Sequence, residues 1–364
     1  MILRNITILA VCVFVPTLSA KADWPLARGN AAQTAVIAGK IPDTLNELWR
    51  FKAKSAFEST PVIAEGKVFV GNFDKQFYAI DLKTGKELWK TEIGLVRASA
   101  AYRKGKLFVG NLDGKFVCLD AVTGKELWAF EAGGEISAAA NFAGEYILIP
   151  SHDSTLYCLD QNGKKVWEFL TEGPVYGGVA VVGDRTYLAG CDSLLHTIDT
   201  KTGKELGSVD LKGQTGASAA IVDKTLYVGT MSNQVLAVDL EKMKILWEFE
   251  APRRAQAFYA SPAIDAGTLI IGSRDKNVWA LDTKTGKPKW FYTTEHKVDG
   301  SAIIVGDRVV VGSLDQNLYV IERDSGKKVT SLELDGAILG SPAFSDGKLL
   351  ITTEKGTVYC FGAK

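Results

Sequence analysis

The chain has 364 residues, of which 46% are hydrophobic, and its 42 basic and 42 acidic residues leave a formal net charge of +0. No basic block or stripe interrupts this balance. That argues against nucleic acid and anionic membranes as main partners, since both need local positive charge. The five cysteines include no CxxC pair, and the three histidines lie far apart, at His152, His196 and His296. We therefore expect no metal site.

The first 22 residues have the pattern of a secretory signal peptide. Arg4 precedes an apolar run over residues 6–15, which is too short to span a bilayer, and Ala20-Lys21-Ala22 fits an A-x-A cleavage site. We expect residues 1–22 to be removed near Ala22. The mature protein, residues 23–364, is then expected to be one soluble domain, periplasmic or secreted, without a transmembrane segment.

After this segment a unit of about 40 residues repeats along the chain. Two copies read "GKVFVGNFDKQFYAIDLKTGKELW" at 66–89 and "GKLFVGNLDGKFVCLDAVTGKELW" at 105–128. Apolar residues alternate with polar ones, and the glycine of each "TGK" supplies the positive φ of a hairpin, so each unit reads as four short strands. Repeats of this size and content are typical of the blades of a β-propeller.

The repeats count to eight, and the last one is incomplete. Seven units have all four strands, whereas the eighth, "AILGSPAFSDGKLLITTEKGTVYCFGAK", ends after its third. The early stretch "NELWRF" at 46–51 resembles the missing fourth strand, because it matches "KELWKT" at 86–91. The sequence therefore predicts an all-β, eight-bladed propeller of four-stranded antiparallel blades, in which residues 46–51 supply the outer strand of blade 8. Such closure leaves no blade with an open face.

Two further patterns repeat with the blades. A tryptophan occupies the fourth strand in six of them and is interpreted as packing between blades: Trp49, Trp89, Trp128, Trp167, Trp247 and Trp290. Gly207 and Thr330 take this position in blades four and seven. Small residues open the first strand, where eight strands converge on one axis: Thr60, Ser99, Ala139, Gly178, Ser218, Ser261, Ser301 and Ser341. We interpret these serines as structural, not as nucleophiles.

One position varies from blade to blade. It lies two residues before the small position and reads Glu58, Arg97, Ser137, Tyr176, Gly216, Tyr259, Asp299 and Leu339, each preceded by a mostly apolar residue. By strand alternation one set packs between blades and the other faces the axis, at one mouth of the central channel. The longest connection, residues 250–260, adds Arg253 and Arg254 to this face. The variable ring is either a binding site or a channel mouth that tolerates variation.

The blade consensus, roughly G-K-V-Y-V-G-S-x-D-G-x-L-Y-A-L-D-x-x-T-G-K-x-L-W, resembles the repeat of pyrroloquinoline quinone (PQQ) enzymes and their relatives over residues 46–364. One branch of this family consists of dehydrogenases, and resemblance to it implies PQQ and calcium. Many of those enzymes carry a disulfide between adjacent cysteines, and no two cysteines are adjacent here. The other branch is BamB-like and implies an exported scaffold. This chain departs from it because "LAVC" at 9–12 is a poor lipidation site.

The sequence favours the BamB-like branch. We expect a monomeric, exported, non-enzymatic scaffold that binds a protein or envelope component, with no catalytic residue and no cofactor. The alternative is a small quinoprotein, in which Arg97, Glu58 and Asp299 would serve PQQ and calcium. A weaker alternative is a glycan-binding propeller that uses Tyr176, Tyr259 and Phe258.

Overall fold

The computed structural model describes residues 23–252 and 256–364 and shows an eight-bladed β-propeller, as predicted from the repeats. Each blade is a four-stranded antiparallel sheet, and the first strands of neighbouring blades approach one another around the axis. The described residues contain no apolar helix of membrane-spanning length. The predicted signal peptide, residues 1–22, lies outside the described part of the chain.

The strands of the first four blades follow one another from the axis outward. Blade 1 comprises Val62–Ala64, Lys67–Gly71, Gln76–Asp81 and Glu87–Glu92. Blade 2 comprises Ala101–Arg103, Lys106–Gly110, Lys115–Asp120 and Glu126–Glu131. Blade 3 comprises Asn141–Ala143, Tyr146–Ser151, Thr155–Leu159 and Lys165–Leu170. Blade 4 comprises Ala180–Val182, Arg185–Ala189, Leu194–Asp199 and Glu205–Asp210.

Blades 5 to 7 repeat this order, and blade 8 departs from it. Blade 5 comprises Ala220–Val222, Thr225–Gly229, Gln234–Asp239 and Lys244–Glu250. Blade 6 comprises Ala263–Asp265, Thr268–Gly272, Asn277–Asp282 and Pro288–Thr293. Blade 7 comprises Ile303–Val305, Arg308–Gly312, Asn317–Glu322 and Lys328–Glu333. Blade 8 comprises Ala343–Ser345, Lys348–Thr352, Thr357–Gly362 and, as its outer strand, Asn46–Lys52.

Blade 8 combines one strand from the N-terminal part of the chain with three strands from the C-terminal part. Asn46–Lys52 pairs antiparallel with Thr357–Gly362, and Trp49 lies opposite Cys360. Asp335 follows the outer strand of blade 7, and its partly buried carboxylate contacts both Asn46–Lys52 and Thr357–Gly362. It accepts hydrogen bonds from Lys52 Nζ at 2.9 Å, from Thr353 Oγ1 at 2.7 Å and from Thr357 Oγ1 at 2.5 Å. Asp335 therefore connects the outer strand of blade 8 to the third strand of the same blade.

The Asp335 junction should weaken in acid. Burial acts to raise the pKa of Asp335, but the hydrogen bonds from Thr357, Thr353 and Lys52 outweigh it and hold that pKa below its usual value. A carboxylate with a lowered folded pKa stabilises above the unfolded value of about 3.9, and this contribution is lost as pH falls through the folded pKa. We therefore expect Asp335→Asn to unfold at lower temperature at pH 7, with the difference from wild type shrinking on acidification.

Thermal unfolding measured at a series of pH values checks this expectation. Asp184→Asn is the matched control, because Asp184 is 70% exposed and pairs with Lys201 on the surface, where ion pairs contribute little. A constant difference between Asp335→Asn and wild type down to the lowest pH would contradict the role given to the ionised carboxylate.

The regular spacing of tryptophans corresponds to one contact repeated between neighbouring blades. Each indole Nε1 donates to a backbone carbonyl in the hairpin of the next blade, as Trp49 does to Leu82 at 3.0 Å and Trp290 to Arg323 at 2.8 Å. The same contact is made by Trp89, Trp128, Trp167 and Trp247. The ring also packs under the hairpin glycine. A Cβ on Gly85 would lie 2.6 Å from Cδ2 of Trp49.

The two blades without tryptophan face neighbours that lack the hairpin glycine. Gly207 of blade 4 faces the hairpin of blade 5, where Met243 occupies the glycine position. The Cε atom of Met243 would lie 3.4 Å from a Cβ on Gly207. Thr330 of blade 7 faces blade 8, whose third and outer strands come from opposite ends of the chain and share no hairpin. Tryptophan and glycine thus occur as a pair, which explains both exceptions in the repeat.

The cysteines of the described residues are all free. Cys118, Cys158 and Cys360 are fully buried in the blades, and burial raises the pKa of each to about 12. Cys191 is partly exposed, and burial raises its pKa as well. The three buried thiols are small core residues, and none of the four has the lowered pKa of an activated nucleophile.

A segment that the repeats do not predict runs inside the ring. Residues 24–37, here called the axial belt, pass along the first strands of successive blades and accept the backbone N–H at the middle of six of them. The donor and acceptor pairs are Ile63 to Trp24, Tyr102 to Pro25, Val181 to Ala31, Ile221 to Ala32, Ile264 to Thr34 and Ile304 to Ala35. In blade 3 the side chain of Asn141 replaces this contact and donates to Ala31 O at 2.8 Å. The belt ends as the strand Val36–Ile37, parallel to Ile303–Val305.

Candidate functional site

The axis of the propeller holds a cavity of about 280 Å³ that is open at one end. Its wall is formed by the small residues that precede the first strands, and its mouth by the variable ring. All eight variable positions line it: Glu58, Arg97, Ser137, Tyr176, Gly216, Tyr259, Asp299 and Leu339. The residue before each is fully buried at 0% exposure. The segment that leads into each first strand therefore alternates a packed side chain with one that lines the cavity. Whether the ring binds a partner remains a prediction.

Two other residues of the predicted site lie outside the described chain, and a third is not available to a ligand. Nothing is described of Arg253 and Arg254. Phe258, named with the tyrosines for glycan binding, is fully buried and packs against blade 5 and blade 6 residues. Only Tyr176 and Tyr259 of that aromatic set line the cavity.

The acidic residues at the mouth are held by arginines. Arg97 Nε donates to Glu58 Oε2 at 2.9 Å, and its guanidinium lies over the ring of Phe73. Arg274 makes two hydrogen bonds to Asp299, of 2.9 and 2.7 Å, and stacks 4.0 Å from the centre of the Tyr259 ring. The two parallel hydrogen bonds between Arg274 and Asp299 fix the orientation of both side chains. The mouth is therefore preorganised, with its carboxylates already neutralised.

A hydrogen-bonded histidine lies beside the mouth. Ser137 Oγ and His152 Nε2 are 2.6 Å apart, and His152 Nδ1 lies 3.3 Å from Glu135 Oε2. The edge of the His152 ring meets Tyr176, with 4.6 Å between ring centres. Burial lowers the pKa of His152, so its imidazole is neutral at neutral pH. Sequence reasoning missed this group because Ser137 and His152 belong to different turns of blade 3.

The axial belt closes the floor of the cavity. Ala27, Arg28 and Gln33 line it, and the near-complete burial of Arg28 and Gln33 indicates that solvent does not reach the cavity from this side. Arg28 is 3% exposed, and its Nη2 donates to Pro262 O at 3.0 Å and to Ser261 O at 3.3 Å. Gln33 is 2% exposed and donates to Val179 O at 3.1 Å. No repeat signal marks these two residues, so the sequence alone gave no reason to place them here.

The residues present do not fit a quinone held by calcium. Calcium takes six to eight oxygen ligands, several of them carboxylates. The two carboxylates of the cavity, Glu58 and Asp299, already pair with Arg97 and Arg274. Over residues 23–252 and 256–364 no group of three or more His, Cys, Asp or Glu side chains is arranged to hold a metal ion. The donor set of this cavity thus differs from what the dehydrogenase branch implies.

Comparisons with known proteins find relatives of both branches. A family model described as Outer membrane protein assembly factor BamB matches residues 41–99, 78–205 and 191–363. An uncharacterised protein of Rickettsia prowazekii (strain Madrid E) is 33% identical over 86 residues, which are 23% of this chain and 21% of that protein. The chain therefore matches about a fifth of the length of this curated relative.

Solved structures share the fold at low identity. BamB from Moraxella catarrhalis has a TM-score of 0.76 and 19% identity, covering 88% of this chain and 100% of that chain. Quinohemoprotein alcohol dehydrogenase from Comamonas testosteroni has a TM-score of 0.81 and 15% identity, covering 94% of this chain and 80% of that chain. Both likenesses concern the fold alone. Because the family matches together span residues 41–363, the chain belongs to the PQQ-like repeat propellers described as outer membrane protein assembly factor BamB.

Proposed function

We propose that this chain is an exported, non-enzymatic scaffold of the cell envelope, which binds another protein at the mouth of its axial cavity. The family description names an assembly factor, and export is inferred from the signal-like residues 1–22. A rigid ring of blades that presents one variable set of side chains is suited to recognition, because it loses little conformational freedom on binding.

The observation that carries this proposal is the composition and setting of the variable ring. Its members differ in charge, size and polarity from blade to blade, whereas the buried residue before each one is fixed by packing. Arg97 and Tyr176 are exposed at the mouth. Arginine and tyrosine are enriched among the residues that dominate protein interfaces. Variation in charge and polarity confined to the side chains that line the cavity is what a recognition surface on a constant framework requires.

Replacing Arg97 and Arg253, two of the arginines assigned to this face, should remove the partner without unfolding the propeller. In Arg97→Ala with Arg253→Ala we expect a melting temperature close to that of wild type, because Arg97 is 46% exposed in its pair with Glu58 and such pairs contribute about 0–1 kcal/mol. Loss of an interface arginine costs about 2 kcal/mol or more in many complexes. Affinity capture from an envelope extract, compared with wild type, measures the effect.

The control for the capture experiment is Lys86→Ala with Lys125→Ala. Both lysines are exposed in the hairpins between the third and outer strands, on the opposite face of the propeller. If this variant loses the captured protein and the arginine variant keeps it, the partner binds the hairpin face and not the variable ring. If neither variant loses it, the ring is a tolerated mouth and binding occurs elsewhere.

A second candidate is a serine hydrolase, which the contacts of Ser137, His152 and Glu135 favour. In a working triad the acid is buried and hydrogen-bonded to the histidine, which fixes its tautomer. Glu135 is 49% exposed and lies 3.3 Å from Nδ1, so solvent competes for its carboxylate. The arrangement therefore lacks the fixed acid that makes serine a strong nucleophile.

We accordingly expect Ser137 to stay unmodified when the mature protein is incubated with a fluorophosphonate probe. Intact-mass spectrometry measures the labelling, and a serine protease treated in parallel shows that the probe is active. Stoichiometric labelling that disappears in both Ser137→Ala and His152→Ala would overturn the non-enzymatic proposal and assign a hydrolase.

A further inference from the structure

The floor of the axial cavity contains a buried positive charge without a counter-ion. Arg28 is 3% exposed, and Nε and Nη1 of its guanidinium have no hydrogen-bond partner among the described residues. These two nitrogens carry three of the five N–H donors of an arginine. The contacts made by Nη2 are to carbonyl oxygens of Ser261 and Pro262, which carry no net charge.

A buried charge of this kind is costly unless something compensates it. Desolvation disfavours an unpaired ion in the interior of a protein, and most buried arginines are paired with a carboxylate. Burial lowers the pKa of Arg28 to about 9, so the guanidinium is still charged at neutral pH. Among the described residues, Arg97 and Arg274 at the mouth are each paired with a carboxylate. Arg28 therefore leaves the cavity with one uncompensated positive charge at its floor.

The wall above Arg28 supplies hydrogen-bond donors that also lack acceptors. The small residues that precede the first strands are here called the small-residue ring. Five of their hydroxyls accept a backbone N–H from the neighbouring blade: Thr60, Ser99, Ser218, Ser261 and Ser301. Each of these contacts uses an oxygen lone pair and leaves the O–H hydrogen free. Within the described residues none of the five hydroxyls donates a hydrogen bond to the protein, and all five line the cavity.

The charges and donors of the cavity select an anion over a cation. Both acidic side chains that line it are already paired with arginines, so a cation would find no free carboxylate. An anion would meet the field of Arg28 from below and hydroxyl donors from the sides. Tyr176, Tyr259 and Leu339 stand at the mouth, where their apolar surfaces would cover an organic group attached to the anion.

We propose that the axial cavity is a binding site for a small organic carboxylate, which is balanced by the charge of Arg28 and hydrogen-bonded by the hydroxyls of the small-residue ring. The volume of about 280 Å³ limits the ligand to a small molecule or a single inserted side chain. Arg28 lies just under the floor with its unpartnered nitrogens shielded from solvent. It therefore attracts the carboxylate through its charge, while the hydroxyls make the direct contacts. This site goes beyond the proposed protein-binding function and does not depend on the identity of any partner.

Calorimetric titration of the mature protein with benzoate and with benzamide tests the proposal without any substitution. The two probes have nearly the same shape and differ in charge. We expect benzoate to bind at one site per chain, at least tenfold more tightly than benzamide. Equal binding of the two probes, or no binding of benzoate, would overturn the proposal, because the hydroxyl donors of the cavity would then be hydrogen-bonded by ordered water alone. Tighter binding of inorganic sulfate or phosphate than of benzoate would overturn the assignment to a carboxylate.

Three variants locate the charge. Arg28→Met should weaken benzoate binding about tenfold or more, whereas Arg28→Lys keeps the charge and should stay within a few-fold of wild type. Arg50→Met is the control, because Arg50 is an exposed arginine on the outer strand of blade 8 that pairs with Glu47. Unchanged benzoate affinity in a folded Arg28→Met protein would overturn the role of Arg28. The capture experiment changes Arg97 and Arg253 and leaves Arg28 in place, whereas the benzoate titration uses no partner protein. Failure of one proposal can therefore be told from failure of the other.

Discussion

Removing the axial belt is expected to abolish cooperative folding of the propeller. A mature chain that lacks residues 23–39 loses the backbone acceptors for the first strands of six blades and exposes those strand edges to the axis. It also loses the buried side chains of Trp24, Leu26 and Ala35, which are 1%, 7% and 0% exposed. Unpaired backbone N–H groups in a buried setting and lost apolar contacts both destabilise.

A single substitution measures the largest side-chain contribution of the belt. Trp24 is among the largest fully buried side chains, and its backbone N–H and carbonyl both pair with Ile63. Trp24→Ala should therefore lower the free energy of unfolding by about 3–5 kcal/mol. That is a large part of the 5–15 kcal/mol typical of folded proteins, and removal of the whole belt should exceed it.

Denaturant unfolding followed by circular dichroism gives both quantities. Leu170→Ala is the matched control, because Leu170 is a large apolar side chain that is 69% exposed, and surface changes usually stay within about 0.5 kcal/mol. If the chain without residues 23–39 unfolds cooperatively at the denaturant concentration of the full mature protein, the belt is not part of the core.

The sequence predicted the blades because their contacts repeat. Each tryptophan of the fourth strand requires a hairpin glycine in the next blade, and this pair of constraints leaves a visible spacing in the chain. The small residues at the axis and the alternation of Phe57 with Glu58 follow from packing in the same way. Six tryptophan–glycine pairs and eight small residues at the axis recur at the spacing of the blades, so the number of blades could be counted from the sequence.

The floor of the cavity could not be predicted, because its contacts leave no pattern. The belt binds the blades through backbone carbonyls, which every residue possesses, and so its sequence carries little information about its position. Arg28 occurs once and looks like an ordinary surface arginine until the fold buries it. Similarly, the fit of Met243 beside Gly207 requires knowing which hairpin faces which strand. Irregular residues are interpretable only after the regular ones have placed them.

Trp49→Ala should be the most damaging single change at the junction between blade 8 and blade 1. Trp49 is 9% exposed, donates to Leu82 O at 3.0 Å and packs under Gly85. We expect a loss of about 3–5 kcal/mol in the free energy of unfolding. Trp49→Phe keeps an aromatic ring and removes the N–H donor, so it should lower the free energy of unfolding by less than Trp49→Ala does. The missing hydrogen bond should account for about 0.5–1.5 kcal/mol of that decrease.

The glycine partner of Trp49 provides the sharpest test of this junction. Gly85 has a φ of 71°, and its missing Cβ would lie 2.6 Å from the indole. Gly85→Ala should therefore destabilise through both left-handed strain, about 1–2 kcal/mol, and the clash with the ring. In Gly85→Ala with Trp49→Ala the clash disappears, so the combined loss should be smaller than the sum of the two single losses. Trp290→Ala, at the same position between blades 6 and 7, is the control. The expectation is wrong if Trp49→Ala lowers the free energy of unfolding by less than about 1 kcal/mol while Trp290→Ala lowers it by about 3 kcal/mol or more, and if the effects of Gly85→Ala and Trp49→Ala add up. The stability of the ring would then not depend on the strand that the N-terminal part of the chain contributes to blade 8.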